Sequence, residues 1–167
     1  ITEDYAVDPK GKGFSHVPGL WNDRQVESHS KLTKRIHDSG SKIFAQIYHA
    51  GRQTSTALIG YQPVAPSPIP CPRLQEIPHA LTLDEIREIV EEFGDCALRA
   101  RNAGFDGIEI HGAHGYLIAQ FMSPYSNKRI DGYGGNLLNR MRFPLEIVSN
   151  VRSKVGSDFP VLFRISG

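Results

Sequence analysis

The sequence predicts an α/β fold, a partial (β/α)8 TIM barrel, and three observations point there. Short apolar runs alternate with amphipathic stretches in the order helix, strand, helix, strand, helix, strand. Segments after the strands are long and rich in proline and glycine, while those after the helices are short, the asymmetry of a barrel whose functional loops follow its strands. The chain has 167 residues, and a closed barrel takes roughly 250. A doubly wound open sheet gives the same alternation and is the rival architecture.

Each element has a local reason. Asn22 is a plausible N-cap for a helix that runs to Gly40, with Val26, Leu32 and Ile36 near one face. Six of the eight residues from Lys42 to His49 are apolar or aromatic, which reads as a strand covered on both faces. Residues 53–81 contain Pro63, Pro66, Pro68, Pro70, Pro72 and Pro78, which exclude a regular helix and predict a long loop over one end of the sheet. Thr82 and Glu85 form a capping box, after which Ile86, Ile89, Val90, Phe93, Ala97 and Ala100 recur at helical spacing until Gly104. Phe105 to His111 is the next strand, and Ser123 to Gly135 a second irregular stretch. Met141, Leu145, Val148, Val151 and Val155 mark a last helix, with Pro144 confined to its first turn. Pro160 to Ile165 is a third strand, and Ile1 to Glu3 a candidate fourth.

Composition narrows the function classes. The charges nearly cancel, 19 Lys and Arg against 18 Asp and Glu, which excludes nucleic-acid binding by bulk electrostatics. No uninterrupted apolar run reaches the ~18 residues of a membrane-spanning helix. Cys71 and Cys96 make no disulfide framework and lack metal-site spacing. With no signal-like leader at Ile1, the expected location is the cytoplasm.

Barrel chemistry sits at the C-terminal strand ends. There the chain places Gln46 to Arg52, His111 to Tyr116, and Arg164. His111 and His114, separated by Gly112 and Ala113, can aim two N–H donors at one oxygen, polarising a carbonyl; alternatively they cap a turn. A metal would need His49 as third ligand, and the spacing matches no zinc pattern. Tyr116 can act as a general acid or simply pack under the loop. Gln46 offers a donor and an acceptor suited to a heteroaromatic edge. Arg164 suits an anion, or pairs with a strand-end acid such as Glu109. A phosphate-dependent lyase or aldolase remains an alternative, although it lacks a strand-end lysine, Lys128 falling in a loop.

These residues lie within longer motifs: Gln46-Ile-Tyr-His-Ala-Gly-Arg52, Gly107-Ile-Glu-Ile-His-Gly-Ala-His-Gly-Tyr-Leu117, Phe121-Met-Ser-Pro-Tyr-Ser-Asn-Lys-Arg129, Asp131-Gly-Tyr-Gly-Gly135 and Asn139-Arg-Met-Arg-Phe-Pro144. Together, in this order, they resemble the old yellow enzyme family of FMN-dependent NAD(P)H oxidoreductases, which includes ene-reductases and 2,4-dienoyl-CoA reductases. The resemblance implies that residues 1–167 are part of a single FMN-binding barrel domain, from about strand 2 to strand 5. It implies FMN as cofactor, NADH or NADPH as reductant, and a small activated alkene as substrate. It makes His111 and His114 the pair that binds the substrate carbonyl oxygen and Tyr116 the proton donor. It puts Gln46 on the pyrimidine edge of the flavin, with Arg164 beside it. The family's first strand and its phosphate-binding loops would lie outside the sequence, leaving half a flavin site. Such a piece is expected to be inactive alone; the alternative is a non-catalytic fragment that acts only as a folding or assembly module. Its exposed sheet edges predict a homo-oligomer.

Overall fold

The computed structural model describes all 167 residues. Its centre is a four-stranded, fully parallel sheet in the order β1-β2-β5-β6, where β1 is Asp4–Ala6, β2 Phe44–Tyr48, β5 Gly107–Gly112 and β6 Val161–Ile165. The candidate fourth strand, expected at Ile1 to Glu3, lies instead at Asp4–Ala6. The helices that follow are α1 (Val26–Asp38), α3 (Leu83–Asn102) and α6 (Arg142–Val155).

The period of two along each strand separates packing from chemistry. Tyr5, Ala45, Ile47, Ile108 and Ile110 point to one face and are buried in a core with Phe93 and Ala97 of α3 and Phe143 and Ile147 of α6. Asp4, Gln46, Glu109, His111 and Arg164 occupy the alternate positions, so the polar residues share the opposite face. Parallel register then aligns them in rows. Asp4 pairs with Gln46 and Gln46 with Glu109, while His111 pairs with Arg164.

Local signals set the helix ends. The Thr82 hydroxyl accepts from the Glu85 backbone N–H at 3.3 Å, and the Glu85 carboxylate accepts from the Thr82 N–H at 2.7 Å, completing the expected capping box. Pro144 sits in the first turn of α6, where its missing N–H costs nothing. Two expected face assignments change. In α1 the buried residue is Thr33, whose hydroxyl donates to the Ala103 carbonyl at 2.6 Å, while Leu32 is exposed. In α6, Leu145 is 59% exposed, and the packed stripe is Phe143, Pro144, Ile147, Val151 and Val155. Both corrections have one cause: neighbouring residues on a helix lie about 100° apart, and tertiary contacts, including the Thr33 bond to Ala103, pick which of them turns inward.

The proline-rich segment has more order than a loop. It contains a single turn, α2 (Thr56–Ile59), and a parallel pair formed by β3 (Val64–Ala65) and β4 (His79–Ala80). Arg52 pins it with guanidinium bonds to the carbonyls of Ile69 and Pro70, at 3.0 and 3.2 Å. The second irregular stretch follows α4 (Leu117–Met122) and precedes α5 (Leu137–Arg140). There Arg129 donates to the Pro66 carbonyl at 3.1 Å and the Leu81 carbonyl at 2.6 Å while pairing with Asp131. Two arginines thus lash the post-strand loops together at the polar end of the sheet.

Candidate active site

His111 ends β5 and is buried. Its Nδ1 accepts the Ala113 N–H at 3.2 Å, which places the ring proton on Nε2 and leaves that nitrogen as a donor. Burial, then the nearby His114 and Arg164, lower its pKa to about 4, so the ring is neutral at neutral pH. His114 follows in left-handed backbone at φ +56°, with Gly115 at +74°. That kink turns the chain sharply enough to bring the imidazoles edge to face, ring centroids 4.8 Å apart. The His114 N–H donates to the Ser166 hydroxyl at 3.2 Å and its carbonyl accepts from Gln53 at 2.7 Å, holding the strained turn from both sides.

Tyr116 leaves the turn at the head of α4. Its ring stands 5.0 Å from His111 and 5.0 Å from Tyr48, both edge-on. Burial raises its pKa first, with the Asp4 charge and hydrogen bonding adding to the rise, so the phenol keeps its proton at neutral pH. Tyr48 is buried beneath it, its hydroxyl accepting the Gly13 N–H at 2.8 Å. The predicted triplet of His111, His114 and Tyr116 is one contiguous cluster.

Gln46 and Arg164 lie beside that cluster, around an open cleft of about 600 Å³ that Asp4, Glu109, His16 and Phe14 also line. The Gln46 side-chain N–H donates to Glu109. The alternative reading of Arg164 as the partner of Glu109 is corrected here: Glu109 is taken by Gln46, and Arg164 forms no salt bridge. A cation held in no salt bridge, beside an amide with a fixed donor direction, suits an anionic heteroaromatic ring, so these residues fit a flavin edge. His49 alternates to the other side of β2, against Asp8, Lys10 and Glu92, and so cannot join His111 and His114 around one metal ion.

Sequence reasoning missed Asp4. Its carboxylate Oδ1 is 4.0 Å from His111 Nε2, and it shares the cleft with Gln46 and Arg164. The alternation that put Gln46 and Glu109 on the polar face would have found it, had the first strand been placed at Asp4–Ala6.

A parallel sheet with helices on one face, and with its polar residues gathered at the strand ends on the other, is the arrangement of part of a (β/α) barrel with its candidate active site at the C-terminal strand ends. The chain belongs to the NADH:flavin oxidoreductase / NADH oxidase family, whose family model matches residues 1–167. It is 51% identical over 168 residues to an NADH oxidase from Thermoanaerobacter brockii, covering 99% of this chain and 26% of that protein. It is 43% identical to an NADPH dehydrogenase from Clostridium acetobutylicum, covering 99% of this chain and 48% of that one. Among solved structures it superposes on the old yellow enzyme homologue from Zymomonas mobilis with a TM-score of 0.90 and 35% identity, over 98% of this chain and 48% of that one. The chain therefore spans a quarter to a half of the length of these relatives, and its sheet is a partial barrel. No helix is long and apolar enough to cross a membrane.

Proposed function

We propose that this chain supplies the substrate-binding half of an FMN-dependent NAD(P)H oxidoreductase that reduces activated C=C bonds. Residues 1–167 are then one part of a single barrel domain, and the substrate is a small α,β-unsaturated carbonyl or enoyl compound. The observation that carries the reading is the cluster at the end of β5: a neutral His111 with its proton on Nε2, His114 beside it, and a protonated Tyr116. When bound, FMN would take hydride from NAD(P)H and deliver it to the β-carbon of the substrate.

The chain's own residues do the rest. Gln46 and Arg164 hold the cofactor ring, the first by a directed amide and the second by charge. His111 and His114 bind the substrate oxygen, where negative charge grows as the β-carbon accepts hydride. Because His111 is neutral, it stabilises that charge as a hydrogen-bond donor without surrendering a proton. Tyr116 donates its proton to the α-carbon.

The test separates the two half-reactions. With Tyr116→Phe in the FMN-loaded full-length protein, stopped-flow reduction by NAD(P)H should stay within about twofold of wild type, while alkene reduction slows by roughly 10²–10⁴-fold, the usual worth of a general acid. Equal losses in both half-reactions would remove Tyr116 from the role.

A further inference from the structure

Arg52 is the one charged residue lining a second open pocket, of about 500 Å³, at the ends of β5 and β6. This pocket shares no lining residue with the cofactor cleft. Gly112, Gly115 and Ser166 join it to the turn that carries His111 and His114. Arg52 is only 9% exposed, yet it forms no salt bridge. Its Nη1 donates to the carbonyls of Ile69 and Pro70, which fixes the plane of the guanidinium, and the Tyr125 ring centroid lies 5.9 Å from Cζ. Nε and Nη2 have no protein acceptor, and they form the side of the fork that meets a carboxylate or phosphate through two parallel bonds. Neither nitrogen is sealed in protein, because the buried side-chain atoms without partners are Thr54 Oγ1 and Asn150 Oδ1. The pocket is what reaches them. A guanidinium so enclosed is destabilised until a counter-charge meets it.

Two hydroxyls add donors. Ser123 Oγ accepts the Tyr125 N–H at 3.2 Å and Ser166 Oγ accepts the His114 N–H at 3.2 Å, so each keeps its own proton for a further acceptor. Much of the remaining lining is apolar, including Met122, Met141 and Ile165. One fixed cation, two hydroxyl donors, no acid and an apolar wall select an anionic head on a short apolar body.

We propose that Arg52 anchors a binding site for a small organic anion. Its carboxylate or phosphate head meets Arg52 Nε and Nη2 with help from the hydroxyls of Ser123 and Ser166, and its apolar body lies against Met122, Met141 and Ile165. The anion is either the tail of the alkene substrate or a separate ligand; the same contacts hold both, and kinetics tell them apart.

The deciding titration uses hexanoate as the probe anion and hexanamide as its uncharged counterpart, each added to the FMN-loaded full-length protein in a calorimeter. Hexanoate should bind saturably, and hexanamide roughly 10–100-fold more weakly, the usual worth of a hydrogen bond to a charged group. Arg52→Gln should bring hexanoate to the hexanamide level, while Arg52→Lys keeps part of the difference. Ala119→Leu, which fills the pocket and removes none of the Arg52 bonds, should also abolish binding. It decides the matter if Arg52→Gln does not fold. Equal binding of the two probes, no saturable binding of hexanoate, or binding untouched by Arg52→Gln or Ala119→Leu would overturn the site. The source of the anion is read with two enones that differ only in a carboxylate or a carboxamide on the tail. If the tail is the ligand, Arg52→Gln lowers kcat/KM for the carboxylate alone, and hexanoate competes with it. If the ligand is separate, both enones respond alike. Failure of the protein to reduce either enone would sink the proposed reaction instead and leave the hexanoate titration to decide the site.

Discussion

Gln46 donates its side-chain N–H to the carboxylate of Glu109, its register partner on the neighbouring strand. The bond has two consequences. It fixes which way the amide faces, leaving Oε1 free to accept from a bound ring, and it occupies the acid that would otherwise neutralise Arg164. One contact between two side chains thus prepares two of the residues assigned to the cofactor.

Glu109→Ala should therefore weaken FMN binding without removing any residue that touches the ring. Losing the amide's anchor should cost about 1.4 kcal/mol, near tenfold in Kd, within the usual net worth of a hydrogen bond. Fluorescence-quenching titration of the apoprotein with FMN reads this directly. An unchanged Kd would mean that Gln46 does not need Glu109 to orient it.

The histidine pair predicts a spectroscopic signature. A phenolate oxygen imitates the developing negative oxygen of the substrate, so phenols should bind against His111 and His114 and give a long-wavelength charge-transfer band in the FMN-loaded protein. His111→Ala or His114→Ala should abolish the band at phenol concentrations that saturate wild type. A band that persists in both variants would place the substrate oxygen elsewhere.

Much of this was legible in the residues, and the exceptions have physical causes. Strands β2 and β5 announce themselves because their near-complete burial demands apolar runs, β6 because Val161, Leu162, Phe163 and Ile165 make a short apolar run after Pro160, and α3 because Thr82 and Glu85 cap it. Helix α4 stayed hidden: it is a six-residue segment whose Leu117, Ile118 and Phe121 read equally well as a buried loop. β1 is a three-residue strand held by its ladder with β2, and no local propensity marks its start. Asp4 was missed for that reason. The Gln46–Glu109 bond was missed because register between strands some sixty residues apart is a tertiary fact.

The far side of β2 carries a pH-dependent strain. Burial, followed by the charge and hydrogen bonding of Asp8, pushes the Glu92 carboxyl up to about 8. The native state then binds a proton that the unfolded chain releases above the ordinary carboxylate range, so this group's contribution is fully present at acid pH and declines as pH rises toward about 8. Glu92→Gln keeps the shape and removes the titration. Its Tm should match wild type near pH 5 and exceed it near pH 9, measured by thermal melts at constant ionic strength. A difference of the same size at both pH values would show that Glu92 ionisation is not coupled to folding.

The sheet's two edges govern how the 167-residue chain behaves by itself. β1 and β6 each pair on one side, and β6 shows Leu162 at 43% and Ile165 at 63% exposure. An edge strand with unpaired backbone groups and uncovered apolar side chains is a template for a second chain, and charge on the edge is the usual protection against it. β6 has one charge, Arg164, and it faces the cleft. The isolated chain should therefore self-associate, with a light-scattering mass that rises with concentration. Ile165→Lys, which adds charge to the outer side of the edge and touches none of the cluster residues, should lower that mass toward a single chain. A wild-type chain that stays monomeric over the same range, with no binding of an apolar dye, would show that the edge is already covered by its own strand ends and loops.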